Sequence, residues 1–189
     1  NAIVPTLKVL NDEFDIQSGH IESVHSYTND QNLIDNFHKK VRRGRSAALN
    51  MVITETGAGK AVGQVLPELQ GKLTANAVRV PTPNVSLAII NLRFAKDITL
   101  EELNDFLRQK AFHSDLKEQI GFTNSPEVVS TDFVGDRHAG IIDSAATIVN
   151  GNKCVLYVWY DNEFGYTAQL LGLAKEMVGL TYQRYPNFS

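Results

Sequence analysis

Residues 73–96 limit this chain more than any other stretch. Residues 77–80 and 86–94 are dominated by β-branched and aliphatic side chains, and Pro81-Thr82-Pro83-Asn84 between them reads as a turn. Two such runs commit the chain to a sheet that the remaining segments must cover. Arg79 interrupts the first run, and a guanidinium inside an apolar strand needs a partner or a cleft. Two readings stand side by side: a structural salt bridge, or a grip on phosphate through two parallel hydrogen bonds.

The flanking segments supply the cover. In residues 1–14, Ile3, Leu7, Leu10 and Phe14 fall at helical spacing, and Pro5 requires the helix to start near the beginning of the stretch. The partial positive charge at such a helix start favours a thiolate or an oxyanion. Residues 20–27 are extended, with Ile21, Ser23, His25 and Tyr27 on one face and Val24 on the other. If Thr28 is to serve the same site as His25, this strand must twist or end near Tyr27, and Asn29-Asp30 suits that. Residues 47–53 are strand-like, and a short helix follows over residues 58–66.

Farther along, Thr99 and Glu102 form a capping box for a helix striped by Leu100, Leu103 and Leu107. Residues 127–133 read as a strand, and residues 144–159 as a hairpin turning at Asn150-Gly151. Asp161 caps a last helix running to about Val178, whose Phe164, Leu170, Leu171, Leu173, Ala174 and Met177 are too broad a stripe for a helix facing only solvent. The expectation is one α+β domain over residues 1–189, with a largely antiparallel or mixed sheet and helices on one face. No GxGxxG follows a strand, so no Rossmann half is expected in this chain.

Bulk properties remove several classes. A net charge of −3 argues against a general nucleic-acid binder. No apolar run is long enough to span a bilayer and no signal peptide opens the chain. The single cysteine, Cys154, permits no internal disulfide, fits a reducing compartment such as the cytoplasm, and reads as a buried structural thiol. Asp136-Arg137-His138 is polar and Gly-flanked, hence a surface turn. No metal site is expected.

Three further features carry candidate chemistry. The imidazole of His25 titrates nearest neutrality and is equipped for proton transfer, though a satisfied structural histidine is the plainer reading. Lys39, Lys40, Arg42, Arg43 and Arg45 form either a solvated loop or an anion-binding surface. Gly57-Ala58-Gly59-Lys60 lacks the glycine spacing and the hydroxyl residue of a nucleoside-triphosphate loop. Thr56 and Gly57 nevertheless sit at a helix start, where phosphate is favoured and where a bare N-cap is the alternative.

NAIVPTLKVLND at residues 1–12, HSYTNDQ at 25–31, RVPTPNVS at 79–86 and WYDNEFGY at 159–166 occur in this order. Together they closely resemble the catalytic, C-terminal domain of phosphorylating glyceraldehyde-3-phosphate dehydrogenases, over nearly the whole chain. The resemblance implies a cysteine nucleophile just ahead of Asn1, with His25 accepting its proton, NAD as hydride acceptor, and a thioester cleaved by inorganic phosphate. It implies that Arg79 and Thr28 bind the C3 phosphate of the sugar phosphate, with Asp30 beside them. Arg45 matches an arginine near the substrate phosphates, and Thr56 and Gly57 match the inorganic-phosphate site. Asn162 matches the asparagine that bonds the nicotinamide carboxamide, with Tyr166 packed close by.

It further implies an N-terminal Rossmann domain as intramolecular partner, a homotetramer, and a cytoplasmic place in glucose metabolism. The sequence begins after the family's Cys-Thr-Thr, so this chain alone is expected to show no turnover. Ala2 stands where a second, non-catalytic cysteine is common. Asn36-Phe37 replaces the Leu-Pro of strictly NAD-using members, which leaves NADP open. Residues 180–189 extend past the usual ending. An erythrose-4-phosphate dehydrogenase domain, or a non-catalytic assembly or regulatory module of the same fold, are the other readings.

Overall fold

The computed structural model describes residues 1–180. In chain order the elements are α1 (Val4–Phe14), β1 (Ile16–Ser26), β2 (Val52–Thr54), α2 (Ala58–Val65), β3 (Leu73–Val80), β4 (Ser86–Phe94), α3 (Leu100–His113), β5 (Ile120–Thr123), β6 (Gly140–Asp143), β7 (Ile148–Asn150), β8 (Lys153–Tyr160) and α4 (Phe164–Met177). The eight strands form one mixed sheet in the order β2-β3-β1-β4-β8-β6-β5, with β7 paired to β8. The pairs β1–β3 and β5–β6 are parallel and the others antiparallel. This is the mixed sheet of an α+β domain, and no Rossmann unit is present among the described residues.

The alternation of β4 and β8 decides where the core lies. Ala88, Ile90, Leu92 and Phe94 project to one face with Cys154, Leu156 and Val158, and all are buried. Ile21 of β1 joins them opposite Ile90. Leu7 and Leu10 of α1, Val62 of α2, and Leu103 and Leu107 of α3 close over that face in a single cluster. Each fully buried leucine contributes about 1.5–3 kcal/mol. The opposite face carries polar groups on β1 and β3, where the His20 ring bonds to Thr74 Oγ1 and Asn76 Oδ1.

Local chemistry ends the elements where the pattern expects. Asp15 takes a left-handed conformation (φ 53°) to stop α1, while Asn11 Oδ1 accepts the amide of Ile16. The Thr99–Glu102 capping box is formed at the start of α3. Gly151 (φ 58°) turns the β7–β8 hairpin.

Three expectations need correction. Residues 127–133 are not a strand but a loop closing in a 3₁₀ turn, Ser130–Phe133. Asp132 Oδ2 accepts the Val129 amide and bends the backbone. The apolar residues there roof the far face of the sheet instead: Phe133 packs with Val85 and Ile141 and stacks on Trp159, ring centroids 5.5 Å apart. Residues 47–53 yield only the short β2, because Asn50 Nδ2 donates to Ser46 O and holds the residues before it in a turn. The hairpin begins at Ile148 rather than at residue 144, and residues 120–123 and 140–143, read as no element, form the parallel pair β5–β6. The extension past residue 180 lies outside the described residues.

Gly140 ties the sheet to the approach to α1. A Cβ there would stand 2.5 Å from the carbonyl oxygen of Ala2 and 2.7 Å from Val158 Cγ1. Gly140→Ala is therefore expected to cost about 1–3 kcal/mol by overpacking. Urea denaturation at equilibrium measures it, and an unchanged midpoint would show that the Ala2 segment gives way freely.

Candidate active site

The parallel register of β1 and β3 pairs His25 with Arg79 at the C-terminal ends of both strands. Both lie beyond the last core residues of the covered face, and β1 stops one residue later at Ser26, close to where the sequence asked it to end. A cavity of about 330 Å³ opens there. Asn1, Ala2 and Ile3, leading into α1, line it together with Ser23, His25, Thr56, Arg79, Tyr160, Asn162 and Tyr166. Helix α1 starts without a side-chain cap, so its first amides remain available to an anion.

Arg79 Nη1 donates to the carbonyl oxygen of Ser26 at 3.1 Å and stands 2.6 Å from His25 Nδ1. The same Nδ1 lies 2.7 Å from Ser26 O. Arg79 Nε is buried and has no hydrogen-bond partner, and among the described residues no carboxylate forms an ion pair with Arg79. The salt-bridge reading of this arginine thus finds no partner here. Burial lowers the pKa of His25; the Ser26 carbonyl opposes that shift and the Arg79 charge adds to it. The net shift favours the neutral imidazole, which is the form a general base needs.

Tyr160 completes the wall. Its ring meets His25 edge-on, with centroids 6.3 Å apart. Burial pushes its phenol up, against the hydrogen bond supplied by Ser23. Sequence reasoning passed over Tyr160, although the alternation Cys154, Leu156, Val158, Tyr160 along β8 places it on the covered face. Asp161 was read only as a helix cap and does more than that. Its Oδ1 accepts the amides of Glu163 and Phe164, and its Oδ2 accepts Asn84 Nδ2 and the Gly135 amide. One buried carboxylate therefore joins the turn after β3, the loop before β6 and the start of α4. Beside it, Asn162 lines the cavity with its Oδ1 buried and unpartnered.

Five of the nine residues singled out from the sequence line this cavity: His25, Thr56, Arg79, Asn162 and Tyr166. Thr56 Oγ1 also accepts the Ala58 amide at 3.3 Å, and Gly57 is the residue that precedes α2. Thr28, Asp30 and Arg45 do not line it. Thr28 is exposed, with its carbonyl accepting the Gln31 amide. Asp30 pairs with Arg43, and Arg45 with Asp35 at 3.2 Å. Part of the cationic run is thus compensated by carboxylates of its own loop. The Asp136–His138 pair does form, at 2.7 Å, but it does not line the cavity. Cys154 is buried in the core and its thiol is pushed up to about 12, as befits a structural thiol.

Comparison with known proteins adds an independent line. The family model described as "Glyceraldehyde 3-phosphate dehydrogenase, C-terminal domain" matches residues 1–162. A glyceraldehyde-3-phosphate dehydrogenase-like protein of Pseudomonas aeruginosa is 63% identical over 186 residues, covering 98% of this chain and 40% of that protein. The glyceraldehyde-3-phosphate dehydrogenases of Priestia megaterium and Borreliella burgdorferi are 46% and 44% identical, over 93% and 94% of this chain and 52% and 53% of their own lengths. The chain spans about half the length, or less, of these relatives.

Burial raises the Asp161 carboxyl, but the amides of Gly135, Phe164 and Glu163 and the Asn84 side chain outweigh it and leave the pKa below the ordinary 3.8. A depressed pKa means stabilisation that is complete above the ordinary value and lost as pH falls through the folded one. Asp161→Ala strands four donors and is expected to cost about 3 kcal/mol near neutrality. The advantage of the native protein over Asp161→Asn should shrink in acid. Denaturant titrations at neutral and acid pH measure both effects, and a pH-independent difference would contradict the assignment.

Proposed function

This chain belongs to the glyceraldehyde-3-phosphate dehydrogenase family, as its C-terminal domain, and from that premise we propose that it is the catalytic half of an NAD(P)-dependent enzyme that oxidatively phosphorylates glyceraldehyde 3-phosphate. The observation that carries this reading is an imidazole, its pKa lowered by burial, beside an arginine that among the described residues forms no ion pair with a carboxylate, in one cavity. A sugar-phosphate aldehyde needs both: a base near its carbonyl carbon and a cation for its phosphate. The unpartnered Arg79 Nε, together with a neighbouring guanidinium nitrogen, offers the parallel donors that phosphate takes.

Under this proposal His25 accepts the proton of the family's cysteine thiol, which that family carries just ahead of the α1 segment, and later assists the alkoxide formed on the aldehyde. The Thr56 hydroxyl, the Gly57 amide and the uncapped start of α1 receive inorganic phosphate, which cleaves the thioester. Asn162 fits a nicotinamide carboxamide, because that amide can donate to the buried Asn162 Oδ1. NAD or NADP, when bound, supplies the hydride acceptor. The exposed Phe164, Leu170, Leu171 and Met177 of α4 offer an apolar surface to the dinucleotide-binding domain expected as its partner. A homotetramer is the proposed assembly. Thr28 and Arg45 enter as outer contacts to the substrate phosphates, Arg45 once it leaves Asp35, with Asp30 beside them holding Arg43.

Two measurements on the complete enzyme test this. His25→Asn is expected to lower turnover by roughly 10²–10⁴-fold with the fold intact by circular dichroism; unchanged turnover would make His25 a structural residue. Removing the Arg79 donors should cost about 1.5–3 kcal/mol of phosphate binding. At 1.4 kcal/mol per tenfold, Arg79→Leu should raise the KM for glyceraldehyde 3-phosphate roughly 10- to 150-fold. The kcat/KM for unphosphorylated glyceraldehyde should not fall. Equal losses for both aldehydes, with a lowered Tm, would make Arg79 a scaffold residue.

A further inference from the structure

Three groups converge at the base of the cavity in a way that only one proton arrangement satisfies. A guanidinium has donors and no acceptor. At 2.6 Å from Arg79 Nη1, His25 Nδ1 must therefore accept. Ser26 O accepts from the same nitrogen at 3.1 Å, so one cationic group bridges two acceptors that lie 2.7 Å apart. A neutral imidazole whose Nδ1 accepts carries its proton on Nε2. That tautomer is the wrong one for a base whose Nε2 must take a proton.

Withdrawing the guanidinium reverses the choice. Nδ1 and Ser26 O, 2.7 Å apart, would then lose the donor they share and be left as two opposed lone pairs in a partly buried place. The arrangement that satisfies both puts the proton on Nδ1, donating to Ser26 O, and leaves the Nε2 lone pair free. No net proton is gained, since one ring nitrogen releases to solvent what the other takes up. The buried, unpartnered Arg79 Nε shows what would draw the guanidinium away: it is a charged donor still lacking an acceptor.

We propose that Arg79 sets the tautomer of His25, holding its proton on Nε2 in the anion-free site and releasing it to Nδ1 when a phosphate group engages the guanidinium. The inference rests on the phosphate-binding reading of Arg79 and adds a consequence to it. The phosphate of the substrate then acts on the base as well as on binding, so a phosphorylated aldehyde meets a competent imidazole and an unphosphorylated one does not. Arg79 is in this respect a positioning residue for the proton of His25.

The test is a set of ¹⁵N–¹H correlation spectra, two-bond for the imidazoles and one-bond for arginine Nε–H, of the protein labelled at histidine and arginine nitrogens. His25 is identified by its loss in His25→Asn and Arg79 by its loss in Arg79→Leu. Glycerol 3-phosphate is the probe, because it carries the phosphate and no aldehyde. Without it, His25 Nδ1 should resonate as an unprotonated acceptor and Nε2 as a protonated nitrogen. With it, the two should exchange character along a saturable curve. Arg79→Leu should show the Nδ1-protonated form from the outset and ignore the probe. Glycerol 3-phosphate that shifts the Arg79 Nε–H signal saturably while both His25 nitrogens stay unmoved would overturn the switch and spare the phosphate site. Absence of any saturable shift would overturn both. The native titration decides the question without the variant.

Discussion

The parallel pairing of β1 with β3 is the contact on which the candidate site depends. In this register His25 stands beside Arg79, and a shift of one residue would send either side chain to the other face of the sheet. The register is defended from the other side of β1. Antiparallel pairing with β4 sets Ile21 against Ile90 in the core, and that buried pair gives slippage a large cost. The chemistry at the strand ends is thus maintained by apolar burial nearer the strand middles. The next residue, Ser26, donates its hydroxyl to the Val85 carbonyl and so ties the end of β1 to the start of β4.

A second constraint works through one carboxylate. Asp161 gathers donors from three separate segments at the edge of the cavity, and the residue after it is Asn162. Val85, adjacent to the Asn84 that Asp161 holds, adopts a left-handed backbone (φ 64°), rare for a β-branched residue. Its side chain is buried against Phe133 and Ile141. The strain is sustained because the Asp161 bond to Asn84 and the packing beneath it leave the turn no other course. The position of Asn162 therefore follows from a set of bonds distributed over the β3–β4 turn, the loop ahead of β6 and α4.

Much of this was legible in the residues. Helices α1, α2, α3 and α4 and strands β1, β3, β4 and β8 follow from periodicity, a capping box and turn residues, because each of those segments is long enough for its pattern to outweigh its neighbours. The misreadings have separate physical causes. Residues 127–133 carry apolar side chains because Phe133 covers Trp159, and a loop can meet that demand as well as a strand can. Strands β5 and β6 are four residues each, too short to show an alternation, and they exist because β8 supplies an edge for β6 to join. Membership of the family rests on the match over residues 1–162 and the agreement of the fold.

By itself the sequence determined the residue types that can move a proton or hold a phosphate, and the strands and helix ends on which most of them sit. Hydrophobic period and turn chemistry are local properties, and local properties are written in consecutive residues. What only the tertiary structure decided is which of those residues meet. Thr28 and His25 are three residues apart, yet the cavity holds only His25; Arg79 and His25 are 54 positions apart and share a hydrogen-bonding nitrogen. Strand pairing sets such meetings, and it is chosen by core burial across the whole sheet rather than by either residue. The competition between Arg79 and Ser26 for Nδ1 of the His25 ring is a product of that pairing, and no stretch of the sequence contains it.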